Sequence, residues 1–218
     1  MADYGVVSGQ KAYQVLLKRA ADLFLGTLAV TLFSPVMCAI ALLIKTTSKG
    51  PVLFRQERIG WGGRPFTFLK FRSMRTDCDE RIHLEFVTSF ITAQGAVSSG
   101  VYKITNDPRI TPVGKFLRKT SLDELPQLIN VLRGEMSLVG PRPPIAYEFA
   151  LYSKSLQTSI TQVLPGITGL WQVEGRSRST FKEMMEMNIE YVHKWSFWLD
   201  LQILWRTVLV VMTFRGAY

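Results

Sequence analysis

The sequence predicts an α+β fold, mostly helical. A re-entrant membrane helix at the N-terminus and amphipathic interfacial helices surround a cytosolic domain that contains one small β-hairpin. Three observations carry this. An uncharged apolar run over residues 23–44 is flanked by cations at both ends and holds Ser34-Pro35 at its middle. Two β-rich stretches, 52–57 and 65–71, lie either side of Gly60-Trp61-Gly62-Gly63, the pattern of a hairpin. Beyond them the apolar residues recur mainly at helical spacing, up to a mostly apolar segment at 197–214.

The apolar run comes first. At about 1.5 Å per residue it is long enough for a hydrocarbon core of about 30 Å. It exceeds a usual secretory h-region, and no small-x-small cleavage site ends it. Lys18 and Arg19 precede it, Lys45 and Lys49 follow it, and from Lys45 to Arg75 eight Lys/Arg face the single acid Glu57. Positive flanks favour the cytoplasmic side, so both ends ask for the same side. Pro35 removes a helical hydrogen bond and clashes with the carbonyl four residues back, which predicts a sharp bend. Ser34 can back-bond to a carbonyl in the preceding turn and help to satisfy the broken ladder. A hairpin that enters and leaves one leaflet meets both constraints; a kinked single span is the alternative. The expected organisation is an interfacial segment at 1–22, a re-entrant helix at 23–44, and a cytosolic domain with interfacial helices at 45–218.

Further helices are expected at 79–92, at 111–119 with Pro112 in its first turn, and at 122–133, capped by Ser121 and ended by Gly134. Others follow at 145–156 and 180–194. A Gly/Ser loop is expected over 95–100, and Pro165-Gly166-Ile167-Thr168-Gly169 reads as a turn. In 197–214, Asp200, Gln202 and Arg206 fall near one another at helical spacing. That predicts an amphipathic helix in the membrane interface or packed on the domain, with a second span as the alternative. Trp195, Trp198 and Trp205 suit either an interfacial belt or a core.

The formal net charge of +9 asks for anionic partners, among which nucleic acid, lipid headgroups and phosphorylated substrates all qualify. The two cysteines, Cys38 and Cys78, exclude a disulfide framework and zinc-site spacing. Cys38 is expected as a small buried hydrophobe. His83 and His193 are isolated, and the Gly60–Gly63 glycines match neither a P-loop nor a dinucleotide fingerprint.

Asp123 and Glu124 stand in Ser121-Leu-Asp-Glu, just before an apolar helical run. As local structure this is a capping box, with Glu124 reaching back to the cap amide. Its surroundings offer a second reading. Lys115, Arg118 and Lys119 precede the pair, and Pro141-Arg142-Pro143 follows the helix. Two carboxylates can hold Mg²⁺ while the cations clamp phosphate oxygens, and a stiff Pro-Arg-Pro loop suits bidentate phosphate contact. Alone, Arg142 would equally read as a solvated loop residue. Lys70 and Arg72, two apart on a strand, share a face for phosphate or headgroup contact, or for solvent.

With those residues placed, the chain resembles the bacterial sugar transferase family, the monotopic phosphoglycosyl transferases, from Lys18 to about Gly216. The resemblance rests on Lys18-Arg19, Asp22, Ser34-Pro35, Lys70-Phe-Arg-Ser-Met74 and Ser121-Leu-Asp-Glu-Leu-Pro-Gln-Leu128. It continues through the stretch from Gly134 to Pro143, Pro165–Gly169 and Gln172-Val-Glu-Gly-Arg176. It implies a monotopic enzyme on the cytosolic face of a bacterial inner membrane, re-entrant at Ser34-Pro35 and flanked by Lys18 and Arg19. Such an enzyme transfers a sugar 1-phosphate from a UDP-sugar to undecaprenyl phosphate, opening polysaccharide or glycoconjugate assembly. Asp123 and Glu124 would be its catalytic pair, with a covalent phosphosugar on Asp123 and Mg²⁺ as cofactor near both. Lys70, Arg72, Arg118, Pro141, Arg142, Pro143 and Arg176 would bind substrate. The partners implied are the UDP-sugar, undecaprenyl phosphate and membrane lipid, without nucleic acid; the oligomeric state, a homodimer included, stays open. One departure is Asn188, where the family commonly has Asp. The rival from another class is a single-pass anchor that carries a basic binding domain without catalysis.

Overall fold

The computed structural model describes residues 12–75, 81–92, 107, 109–175 and 179–213. The expected loop at 95–100 lies outside them.

The chain begins with α1 (Ala12–Thr47), one helix that continues through Pro35 without interruption. The Ser34 hydroxyl donates to Thr31 O at 2.9 Å, the carbonyl four residues before Pro35 that proline leaves without its amide partner. The hydroxyl repair expected at this position is therefore present. Residues 13–47 form a helix long and apolar enough to cross a membrane, and little of it is covered. Leu28, Leu32, Phe33 and Val36 are exposed along its middle. Cys38 is exposed as well, contrary to expectation; it points away from the domain, so no core encloses it.

Both ends of α1 are docked. Near the start, Lys18 donates to Val139 O at 3.0 Å and pairs with Asp200. Arg19 donates to Val131 O and Leu132 O at 2.7 and 3.1 Å, in the last turn of α4 (Gln127–Arg133), where Gly134 N also donates to Val131 O. Asp22 accepts from Leu138 N at 3.0 Å. Near the end, Ile40 and Ile44 are buried with Phe71 and Leu117. Arg72 donates to Lys49 O, Ser48 O and Ser48 Oγ at 2.6–2.9 Å.

The hairpin forms as expected. β1 (Leu53–Ile59) pairs antiparallel with β2 (Pro65–Phe71), Leu53 opposite Phe71 and Ile59 opposite Pro65. Gly62 and Gly63 take the positive φ values that its turn needs. After α2 (Arg81–Thr92) comes α3 (Pro112–Thr120), capped by Thr111, whose hydroxyl accepts from Gly114 N at 2.9 Å. A second, parallel two-stranded sheet joins β3 (Ser137–Val139) to β4 (Gly166–Thr168). The Pro165–Gly169 motif is thus mostly strand rather than turn, because Ser137 N and Gly140 N donate to Pro165 O and Thr168 O across it.

Between the two strands the single helix expected at 145–156 is two, α5 (Ala146–Ala150) and α6 (Lys154–Ile160). Ser153 caps α6, and that cap needs an extended backbone that breaks the run. α7 (Leu170–Glu174), α8 (Phe181–Lys194) and α9 (Phe197–Met212) complete the chain. α8 starts at Thr180 with the capping box to Glu183.

The three polar residues expected on one face of α9 divide, with Gln202 and Arg206 exposed and Asp200 packed into the domain. Asp200 is buried, bonded by Tyr191 Oη at 2.8 Å and Trp195 Nε1 at 3.1 Å as well as by Lys18. A buried carboxylate is tolerable when paired in this way. The outer face of α9 carries exposed Trp198, Leu201, Trp205, Val208 and Met212. The tryptophans divide accordingly: Trp195 is core and the other two are exposed.

Candidate active site

The site is built where α3 hands the chain to α4. Ser121 has φ +58°, the one positive value outside glycine among the described residues. An N-cap needs an extended residue, so the expected capping box does not form. Instead Ser121 ends α3, its amide donating to Arg118 O and Leu117 O. Leu122–Glu124 then make a single 3-10 turn that runs on through Leu125 and Pro126 into α4, with Gly134 ending it in the left-handed conformation as expected. The Glu124 side chain is thereby free for another partner.

That partner is Lys70 on β2. Its Nζ lies 2.8 Å from Glu124 Oε1 and 3.7 Å from Asp123 Oδ2. Asp123 is only 5% exposed. β2 is held against α4 by Asn130, which is fully buried. Asn130 Oδ1 accepts from Leu69 N at 3.1 Å, and its Nδ2 donates to Thr67 O at 2.7 Å. The side chain thus takes the place of a neighbouring strand along β2 and fixes the backbone just before Lys70. Behind the pair, Arg118 donates from Nε to Ser73 Oγ at 3.0 Å, and Asp107 and Asp123 both act on its charge.

The Pro141-Arg142-Pro143 loop is placed by two anchors. On one side Gly166 N donates to Pro141 O and Gly140 N to Thr168 O, each at 2.9 Å. On the other, buried Arg58 donates to Pro143 O at 2.7 Å and lies 4.3 Å from the Phe68 ring centroid, while Ile59 N donates to Pro144 O. Glu148 Oε2 accepts from Ile145 N at the loop's exit. The fields of Arg142 and Arg58 both reach Glu124.

Burial pushes the Asp123 carboxyl above the usual carboxylate range, with Lys70 opposing the shift. Burial also acts on Glu124. There the charge and hydrogen bond of Lys70, with Arg142 and Arg58, outweigh it and hold the group below its ordinary value. Two adjacent carboxylates are therefore driven apart, the pattern that separates roles in catalytic pairs.

Asp123, Glu124, Lys70, Arg118 and the Pro141–Pro143 loop are thus assembled around one another. Arg72 stands apart. It lies just past the end of β2 and is committed to carbonyls beyond α1, so the shared strand face with Lys70 does not hold. Lys18 and Arg19 dock α1 to the domain, and Ser34-Pro35 lie far along the exposed helix. Arg176 lies outside the described residues. Asn188 is buried on the inner face of α8 with Met184, Met185 and Tyr191. Sequence reasoning missed Arg58 and Asn130. Their partners are 85 and 63 residues away in sequence, and no local pattern marks such contacts.

Among the described residues no three His, Cys, Asp or Glu side chains gather into a metal site. Magnesium needs only one or two carboxylates when substrate phosphates and water complete its shell, and Asp123 with the half-buried Glu124 fits that limited donor set.

The family model described as bacterial sugar transferase matches residues 13–214. The chain is 41% identical over 210 residues to the UDP-glucose:undecaprenyl-phosphate glucose-1-phosphate transferase of Escherichia coli, covering 93% of this chain and 42% of that protein. It is 44% identical over 169 residues to the galactosyl transferase CpsE of Streptococcus agalactiae, covering 77% and 36%. Against the exopolysaccharide production protein ExoY of Rhizobium meliloti it is 41% identical over 203 residues, covering 93% and 88%. It therefore spans about two fifths of the longer relatives and most of the shorter one.

Proposed function

Because the chain belongs to the bacterial sugar transferase family, we propose that it transfers a sugar 1-phosphate from a UDP-sugar to undecaprenyl phosphate through a phosphosugar carried on Asp123. The observation behind this is a buried Asp123 beside Lys70, with Arg118 and Arg142 acting on the same acidic pair. The names of relatives support the donor and acceptor: one is a glucose-1-phosphate transferase and another an undecaprenyl-phosphate galactose phosphotransferase.

An Asp123 carboxylate oxygen attacks the sugar-proximal phosphorus. The new O–P bond forms as the bond to UMP breaks, and UMP leaves with the electron pair. A phosphate oxygen of the polyprenyl carrier then attacks the same phosphorus. The bond to Asp123 breaks, its carboxylate returns, and polyprenyl diphosphate sugar is released. Lys70 and the arginines offset the charge of the diphosphate and of the departing UMP. Magnesium, held by Asp123 and Glu124 with the diphosphate, would supply further charge neutralisation.

Nucleophilic attack needs ionised Asp123. Its raised affinity for protons therefore places the acid limb of the rate profile above the ordinary carboxylate range. Lys70→Gln removes the charge that opposes this shift, so the limb should move to still higher pH. UMP release measured from pH 5 to 9 checks this; a limb unmoved in the variant would separate Lys70 from Asp123.

The docking of α1 supports re-entry. Lys18 and Ile44 are separated by about 39 Å of helix at 1.5 Å per residue, yet both meet the same small domain. A span with one end in the periplasm would tear one dock away. Cysteines placed at positions 12 and 50, with Cys38 and Cys78 replaced, should both react only from the cytosol; labelling of either from the periplasm would overturn re-entry.

The function itself is tested by mixing enzyme, Mg²⁺ and a panel of UDP-sugars. A burst near one UMP per enzyme without acceptor, becoming catalytic with undecaprenyl phosphate, is the expected result. No UMP from any donor in the presence of acceptor would sink the proposal.

A further inference from the structure

Asp123, Gln127, Asn130 and Val131 follow one another at helical spacing on a segment whose backbone stays right-handed through Leu125 and Pro126. All four are buried, at 5, 2, 0 and 0% exposure: Gln127, Asn130 and Val131 on the inward face of α4 and Asp123 on the 3-10 turn that leads into it. Asn130 on that face is satisfied by β2. Gln127 is not: its amide Nε2 is buried and meets no acceptor among the described residues. Leaving a buried donor unmade costs about 1–3 kcal/mol, and such exceptions ask for a reason.

Resting on the phosphosugar reading of Asp123, we propose that Gln127 is the donor reserved for the phosphoryl group on Asp123, its amide N–H finding a phosphoryl oxygen only once that group arrives. Four residues through a 3-10 turn into the first turn of a helix rise about 6–8 Å. An aspartyl phosphate extends beyond its carboxylate by one tetrahedral group, and the flexible glutamine side chain can meet it within that spacing. The free carboxylate is shorter and already faces Lys70. Among the described residues of this face, no other buried side-chain N–H is left unmade. The amide is neutral, so it adds a directed hydrogen bond without competing with Lys70 or the arginines for the acidic pair. An interaction absent at rest and present with the transferred group speeds its formation instead of merely tightening substrate binding.

Gln127→Met keeps the length and flexibility of the side chain and removes the donor; Gln127→Leu is the second variant should the first pack badly. Thermal unfolding without substrate is measured beside the rate of the UMP burst with UDP-sugar and Mg²⁺ alone. The expected result is a melting temperature equal to or above that of the parent, since an unsatisfied polar group has gone. The burst should be slowed about a hundredfold, the usual loss for one donor at a developing anion. A purely structural glutamine would show the reverse, a lower melting temperature with a normal burst, and that overturns the proposal. So does an unchanged burst at any stability. Either result leaves the Asp123 mechanism standing if the parent enzyme bursts; a parent that releases no UMP removes both.

Discussion

Asp123→Asn is expected to abolish both the UMP burst and steady turnover, by roughly a thousandfold or more, in a protein that melts no lower than the parent. The amide is nearly isosteric with the carboxylate but cannot form the bond to phosphorus, so the covalent route closes. Stability moves the other way for a physical reason. Burial raises the Asp123 carboxyl above its ordinary range, which means that the ionised form is disfavoured in the folded state relative to the unfolded one. At neutral pH that is a destabilising contribution, and a neutral amide removes it. Lys70 does not lose its partner, because Glu124 remains 2.8 Å away. Activity assays with thermal unfolding on the same sample check both halves. A variant that keeps its burst would remove Asp123 as nucleophile, and no turnover from parent and variant alike would favour the basic binding-domain reading.

Gly166→Ala should unfold or severely weaken the domain, by about 3 kcal/mol or more. A methyl group at Gly166 would lie 2.0 Å from Gly140 N and 2.4 Å from Thr168 O, both backbone atoms that cannot step aside. Gly140 meets the mirror-image problem, 2.4 Å from Leu164 O. The two glycines let β3 and β4 pass at bare-backbone distance, and the bond from Gly166 N to Pro141 O across that contact sets the Pro-Arg-Pro loop. Denaturant unfolding of the variant should show an early transition, and any folded fraction should bind UDP-sugar poorly because Arg142 is displaced. Normal stability would mean that the strands can separate by a methyl's width without cost.

Much of this architecture was legible because it rests on local chemistry. The hairpin follows from its glycine turn, α3 from Thr111 and Pro112, α8 from Thr180 and Glu183, and the end of α4 from Gly134. The residues around Asp123 and Glu124 were legible through an ordered set of motifs. What failed did so where a tertiary contact outbid a local preference. Ser121 has the sequence context of a cap, but it turns left-handed, and Glu124 prefers an ammonium on β2 to the amide three residues back. Asp200 groups with Gln202 and Arg206 by helical spacing, and that spacing cannot reveal that Lys18, far away in sequence, neutralises Asp200 in the interior. Arg72 looked like half of a cationic strand face, yet it lies past the strand's end, where the carbonyls after α1 claim it. Arg58 and Asn130, which hold the loop and the strand in place, carry no local signature at all.

The double docking of α1 also limits what could replace it. A generic hydrophobic helix of equal length would sit in lipid as well, but it would leave Asp200 without its ammonium, the end of α4 without its guanidinium, and Phe71 and Leu117 uncovered. The segment that holds the protein at the bilayer is therefore also part of the wall of its interior. A foreign helix grafted in its place would have to bring an ammonium, a guanidinium and two apolar residues to the same positions before the domain could close.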